Sequence, residues 1–197
     1  GLVIAVEPEP RVREMLAHNL SLNNANVSID PSAISEVEGE ISFNVAKEIG
    51  LSRLDNTSNS NHGLDLEERV TVPVTTLDSC VAQHCPEALV RLIKIDVEGH
   101  ELNILKGASN IFKINTAIFI LEVNHGALAE SGLSFTDLWE FLNDKNYIVY
   151  KVNSHSADWF RFGRQPSFVK IIDPLQINGE YVDVIAVPNS LKFEFLD

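Results

Sequence analysis

The chain has 197 residues, 45% of them apolar, and a formal net charge of −13. That length suits one domain, and that apolar share supplies a full core, which argues against a disordered or low-complexity chain. A phosphate-backbone binder needs a basic face, so the acidic balance argues against nucleic acid as a partner and suits a solvated surface.

Leu2-Val3-Ile4-Ala5-Val6 is a continuous apolar run and reads as a buried parallel strand. Glu7 follows it, and Pro8 and Pro10 mark a turn and a helix start. Val12, Met15, Leu16 and Leu20 recur at helical spacing, with Arg11, Arg13 and Glu14 outward and Asn23-Asn24 ending the helix. Val27-Ser28-Ile29 is a second strand, stopped by Asp30-Pro31; Ser32-Ala33-Ile34 either extends it or begins the next loop. Residues 40–45 alternate and form a half-exposed strand after a turn at Gly39. Residues 51–65 are rich in Ser, Asn and Gly, a loop suited to covering a site. Residues 70–74 alternate again, and Pro73 assigns them to a sheet edge.

Leu77–His84 is a short helix. The two cysteines, Cys80 and Cys85, make neither a disulfide framework nor a zinc site, which needs two more ligands at suitable spacing. They read as reduced thiols near a helix, in a cytoplasmic protein. A buried strand over residues 92–95 then runs into Asp96-Val97-Glu98-Gly99-His100-Glu101 and a helix to Lys106, with Gly107 as its C-cap. Residues 117–122 are another buried strand, leading into Val123-Asn124-His125. Ser134 caps a helix through Lys145 with Phe135, Leu138, Phe141 and Leu142 inward, and Asn146 ends it. Residues 147–152 are a strand, 153–167 a polar and aromatic loop, and 181–187 the last strand, stopped by Pro188. Alternating strands and helices imply a largely parallel sheet with helices on both faces. No helical pattern separates the last two strands, so they pair antiparallel.

The longest apolar runs fall far short of the roughly 20 residues of a membrane span, and the opening residues lack the basic region of a signal peptide. The only methionine, Met15, lies inside a helix pattern. The chain is therefore expected to open in a strand, as if a segment upstream had been removed.

Three features carry chemistry. Glu7, past a strand and before a helix, suits a vicinal diol such as a cofactor ribose, and equally a helix-start acid favoured by the helix dipole. Asp96, Glu98 and Glu101, with His100 among them, crowd negative charge at the carboxyl end of a strand, where open α/β sheets bind ligands. A general base for a hydroxyl, oxygen ligands for a magnesium-like ion, or capping of the helix by Glu98 and Glu101 all fit. Asp96 and Glu98 project the same way if the strand continues that far. Glu122, Asn124 and His125 face the same crevice as Asp96 if their strands are neighbours, which makes His125 a second base or a solvent-facing loop residue. His18, His62, His84 and His155 lack a supporting carboxylate pattern and read as surface residues. Trp159, Phe160 and Phe162 with Arg161 and Arg164 either line a pocket or pack a loop onto the body.

Ile95-Asp96-Val97-Glu98-Gly99-His100-Glu101, Leu105-Lys106-Gly107-Ala108 and Leu121-Glu122-Val123 together resemble the FkbM family of S-adenosylmethionine-dependent methyltransferases. Ala5-Val6-Glu7-Pro8 and Thr76-Leu77-Asp78 also fit, so the similarity runs over nearly the whole chain. The resemblance implies an α/β fold with a Rossmann-like class I methyltransferase sheet, mostly parallel with an antiparallel C-terminal hairpin, in a single domain over residues 1–197. It implies S-adenosylmethionine as cofactor, with Glu7 on the ribose, Asp30, Ser32 and Ala33 by the adenine, and Asp96 by the crevice shared by donor and acceptor. Asp96, helped by Glu98, His100 or His125, then orients or deprotonates a hydroxyl of a sugar or small metabolite; no metal ligands are assigned.

The family's first strand and glycine-rich turn are expected before Gly1. That strand belongs mid-sheet, between residues 2–6 and 92–95. Omitting one with about five buried apolar side chains forfeits about 8–15 kcal/mol, comparable to a domain's stability of about 5–15 kcal/mol. The gap predicts an exposed sheet edge, through which the chain forms a homo-oligomer. Two alternatives remain beside an O-methyltransferase: a non-catalytic methyltransferase-like binding domain, and a nicotinamide-dependent oxidoreductase, which Glu7 suits and the Asp96–Glu101 block does not.

Overall fold

The computed structural model describes residues 1–46, 53–54, 66–153, 167–177, 179 and 181–191. They fall into two compact units, Gly1–Ala88 with Asn103–Ala108, and Leu89–Leu102 with Ser109–Asp197.

The first unit opens with β1 (Val3–Val6), α1 (Pro10–Leu22) and β2 (Val27–Asp30). β1 and β2 are parallel, from Val3 opposite Val27 to Val6 opposite Asp30. Pro10 starts α1, whose first turn needs no N–H from it. Asn24, at φ 49°, turns the chain after it. The expected burial is not met here. Val3 is 53% exposed, Met15 is 50% exposed, and no residue of α1 is buried. Among the described residues β1 pairs with β2 alone, so its apolar run lacks a second neighbour.

β3 (Ala33–Ser35), β4 (Gly39–Ala46), β5 (Arg53–Leu54) and β6 (Leu66–Thr76) form a second sheet in the order β3-β6-β4-β5. Ala33 begins a strand of its own, parallel to β6. The edge position expected from Pro73 is overturned, because β6 runs between β3 and β4. The ladder to β3 begins only at Val74, so Pro73 sits beside its start, where a missing N–H is tolerated. Ala33 and Val72 centre a small apolar cluster with Ile41, Val70 and Val74. α2 (Leu77–His84) follows, capped by Thr76, whose Oγ1 accepts from the Ser79 amide at 3.1 Å. The expected covering loop lies outside the described residues, save Arg53 and Leu54.

The second unit contains β7 (Leu92–Asp96), α3 (Glu101–Lys106, its last residues counted with the first unit), α4 (Ser109–Ile114) and β8 (Ile118–Asn124). α5 (His125–Glu130), α6 (Phe135–Asp144), β9 (Tyr147–Asn153), β10 (Ser167–Lys170), a 3-10 turn (Pro174–Gln176) and β11 (Tyr181–Pro188) complete it. Its sheet runs β10-β9-β11-β8-β7. Only β7 and β8 are parallel; β8–β11, β11–β9 and β9–β10 are antiparallel. The sheets are therefore mixed, not mostly parallel, while the antiparallel C-terminal pairing is as expected.

Alternation on β8 puts Phe119, Leu121 and Val123 into the core, each 0% exposed. Phe112 stacks on Phe119 with ring centroids 5.0 Å apart and meets Phe141 and Tyr147 edge-on at 5.6 and 5.3 Å. The Tyr147 hydroxyl donates to the Ala117 carbonyl at 3.0 Å, and burial pushes its pKa up to about 12. α6 matches its sequence pattern: Ser134 and Asp137 form a capping box, and Phe135, Leu138 and Leu142 are buried. Strand β7 does not match. Leu92 is 57% exposed, and only Ile95 is buried. Among the described residues β7 is the sheet edge. The aromatic and arginine-bearing loop lies outside the described residues, as do His62 and His155.

Candidate functional site

Two clusters of polar side chains stand at strand ends, one in each unit. In the first, Glu7 follows β1, and its amide donates to the Asp30 carbonyl at 3.0 Å, extending the β1–β2 pairing by one residue. Its carboxylate Oε1 accepts from the Glu9 amide at 2.8 Å. The Arg13 guanidinium reaches back to the Glu7 and Pro8 carbonyls at 2.9 and 3.0 Å, fixing the turn. Burial raises the Glu7 pKa and the Glu9 charge adds to this; the Glu9 amide and Arg13 work against it without cancelling it. The carboxylate is thus half-desolvated, and hydroxyl donors would relieve it.

Asp30 closes β2 and is only 2% exposed. Its Oδ1 accepts from the Ser32 amide at 2.8 Å, and its Oδ2 lies 2.8 Å from His84 Nε2. Burial alone would raise its pKa, but the Ser32 amide and His84 outweigh that and hold it below the usual carboxylate range. Ser32 is half-buried and Ala33 buried beside it. His84 is thereby corrected: it is no free surface histidine but the partner of a carboxylate 54 residues away.

In the second unit, β7 and β8 are parallel neighbours with Asp96 opposite Glu122. The strand ends that carry Asp96 and the Glu122, Asn124 and His125 segment therefore lie side by side. Lys94, two residues before Asp96 and on the same face, donates to Asp96 Oδ2 at 2.6 Å and lies 3.9 Å from Glu122 Oε2. Burial raises the Glu122 pKa, followed by the charges of Asp96 and Asp183, with Lys94 opposing. Sequence inspection missed Lys94, although its i, i+2 spacing to Asp96 carries the signal.

Glu98 does not continue the strand. It adopts φ 50° and Gly99 φ 94°, a reversal that sends the Glu98 carboxylate to Asn124, whose Nδ2 donates at 2.9 Å. Asn124 Oδ1 meanwhile caps α5, accepting from Gly126 and Ala127 amides at 2.9 and 3.1 Å. Gly99 is required twice over, because a Cβ there would stand 2.5 Å from the Ala127 carbonyl oxygen.

Glu101 is fully buried; its Oε1 accepts from the Gly99 amide at 3.0 Å and its Oε2 has no hydrogen-bond partner. Burial foremost raises its pKa; the Gly99 amide lowers it, and the charges of Glu98 and Asp96 raise it further. It is a buried acid that accepts from the Gly99 amide at the start of α3. His100 is buried at 7% exposure. His125 opens α5 with its ring 5.8 Å from that of Phe135 and its Nε2 buried without a hydrogen-bond partner, so it is not a solvent-facing loop histidine.

The Methyltransferase FkbM domain matches residues 1–149. The hexuronic acid methyltransferase AglP of Haloferax volcanii is 27% identical over 156 residues, covering 75% of this chain and 60% of that protein. The crystal structure of methyltransferase FkbM from Methylobacillus flagellatus KT aligns over 93% of this chain and 36% of its own, with 13% identity and a TM-score of 0.51. The chain thus spans 60% of the first protein and 36% of the second, under two thirds of each. The class is that of the methyltransferases. The chain belongs to the FkbM methyltransferase family.

Proposed function

We propose that the chain is part of an S-adenosylmethionine-dependent O-methyltransferase acting on a hydroxyl of a sugar or small metabolite. The match of residues 1–149 to the family carries this reading, and the name of the haloarchaeal relative supports a uronic acid or other glycan acceptor. S-adenosylmethionine, when bound, supplies a methyl group activated on sulfonium. Glu7 would hold the ribose hydroxyls, which fits its half-desolvated carboxylate. Asp30, Ser32 and Ala33 would border the adenine, Asp30 through its place in the backbone, since both its oxygens face protein partners.

Asp96, which we also assign to the donor side, would accept the hydrogen bond of the acceptor hydroxyl. It would take the proton as the C–O bond forms and the S–CH3 bond breaks. Glu98 and His125 would shape that site, and His100 would support it from a buried position. Lys94 would orient Asp96 through its 2.6 Å contact to Oδ2. Holding donor and acceptor in line supplies much of the rate in such a transfer. We further propose that both units belong to one methyltransferase domain. The cytoplasm is the proposed compartment, as the two free cysteines suit a reducing setting. No helix among the described residues is long and apolar enough to cross a membrane.

Isothermal titration with S-adenosylhomocysteine tests this proposal. Binding is expected, weakened about 10- to 100-fold by Glu7→Gln, the loss of charge-assisted hydrogen bonds. Methyl transfer from labelled donor to uronic acids should fall with Asp96→Asn while binding holds. No binding by the wild-type chain together with its natural flanking sequence would sink the proposal. A second reading, a methyltransferase-like domain that binds without catalysis, draws on β7, which pairs on one side only among the described residues. It predicts concentration-dependent self-association in light scattering.

A further inference from the structure

Asp30, Cys80 and His84 converge within the first unit. The ligand atoms of the three lie within 4.8 Å of one another. Cys80 and His84 stand one turn apart on α2, so their side chains share a helix face. The end of β2 brings Asp30 to that face. Asp30 Oδ2 is 2.8 Å from His84 Nε2 and 3.8 Å from Cys80 Sγ. A tetrahedral zinc ion with ligand bonds of about 2.0–2.3 Å separates neighbouring donors by about 3.3–3.5 Å. The Asp30–His84 contact would open by about 0.5 Å and the Asp30–Cys80 contact close by about 0.3 Å, while Cys80 and His84, within 4.8 Å of each other, share the same helix face.

We propose that Asp30, Cys80 and His84 form a zinc-class divalent metal site, with a fourth position left for water or an external donor. One sequence-distant donor, Asp30, joins Cys80 and His84, which lie one turn apart on α2. The chemistry of the donors selects the metal: one sulfur, one imidazole nitrogen and one carboxylate oxygen suit zinc better than magnesium or calcium. Asp30 and Cys80 are each 2% exposed, so two groups that can both be anionic share a dry space. A metal would displace the Cys80 thiol proton to solvent as the metal–sulfur bond forms. The Ser32 amide on Oδ1 leaves Oδ2 as the ligand atom and orients it. The His84 side chain is 17% exposed and offers the way in. The proposal does not depend on methyl transfer.

Cobalt(II) titration of the chelator-treated protein tests it. One equivalent should bind with a sulfur-to-cobalt charge-transfer band, and zinc should displace it. Cys80→Ser should abolish the band while retaining the wild-type far-ultraviolet circular dichroism. His84→Ala should weaken cobalt binding by about 10- to 100-fold, and Cys85→Ser should leave both band and affinity unchanged. A wild-type protein that takes up no stoichiometric cobalt or zinc overturns the site, as does a band that survives Cys80→Ser or vanishes with Cys85→Ser.

Discussion

The sheet of the second unit and the β1–β2 pair of the first are built from similar apolar runs, yet they are buried very differently. On β8, Phe119, Leu121 and Val123 are wholly inaccessible, held between an aromatic cluster and the neighbouring strands β7 and β11. On β1, Val3 is 53% exposed, and α1 contributes no buried residue. A strand becomes core through its neighbours, not through its composition. The candidate site residues follow the same division. Around Gly99 the chain is locked by backbone contact and by Asn124, whereas Glu7 is held by hydrogen bonds to a short turn.

Substitutions at the two extremes put this contrast to measurement. Phe119→Ala should cost about 3–5 kcal/mol, the usual loss for a wholly buried aromatic, read from urea unfolding. A loss under about 1 kcal/mol would mean the aromatic cluster is looser than its ring distances indicate. Gly99→Ala should follow at about 1–3 kcal/mol, since it meets both a positive φ and the Ala127 carbonyl; unchanged stability would show that the turn can move away from α5.

Glu101 probes the same region through pH. Its pKa is raised in the folded protein, so the neutral form is the one folding favours. Its contribution is complete below the unfolded value near 4.5 and is lost as pH rises through the folded value. Relative to Glu101→Gln, the wild type should therefore lose stability as pH climbs from 4.5, and parallel pH profiles for the two proteins would refute that. The smallest effect belongs to the other region: Val3→Ser should change stability by no more than about 0.5 kcal/mol. A large loss there would reveal a covering neighbour for β1.

Local signals in the sequence carried well. Ser134 marks the start of α6, and Asn24 and Asn146, both at positive φ, mark where helices end. Asp96 and the Glu122–Asn124 segment were recognisable as one strand end because consecutive parallel strands tend to be neighbours. What failed was whatever depends on distant partners. Pro73 does not say that β3 pairs only from Val74 onward. α4 and α5 are six residues each, too short for periodicity to register. Glu98 in a left-handed conformation has no sequence signature, since glutamate is not a turn residue. The Asp30–His84 contact spans 54 positions and is invisible before the fold is known.

Asn124 leaves little room for sequence drift. Its amide nitrogen must donate a hydrogen bond to Glu98 while its amide oxygen accepts two from α5. Aspartate would keep the oxygen side and set two negative charges facing each other. Serine would cap the helix but ask one atom to serve both neighbours, and glutamine would reach a methylene too far. In the vocabulary of heredity, this codon has few synonyms in function: the first single-base step to aspartate keeps the helix and loses the grip on Glu98.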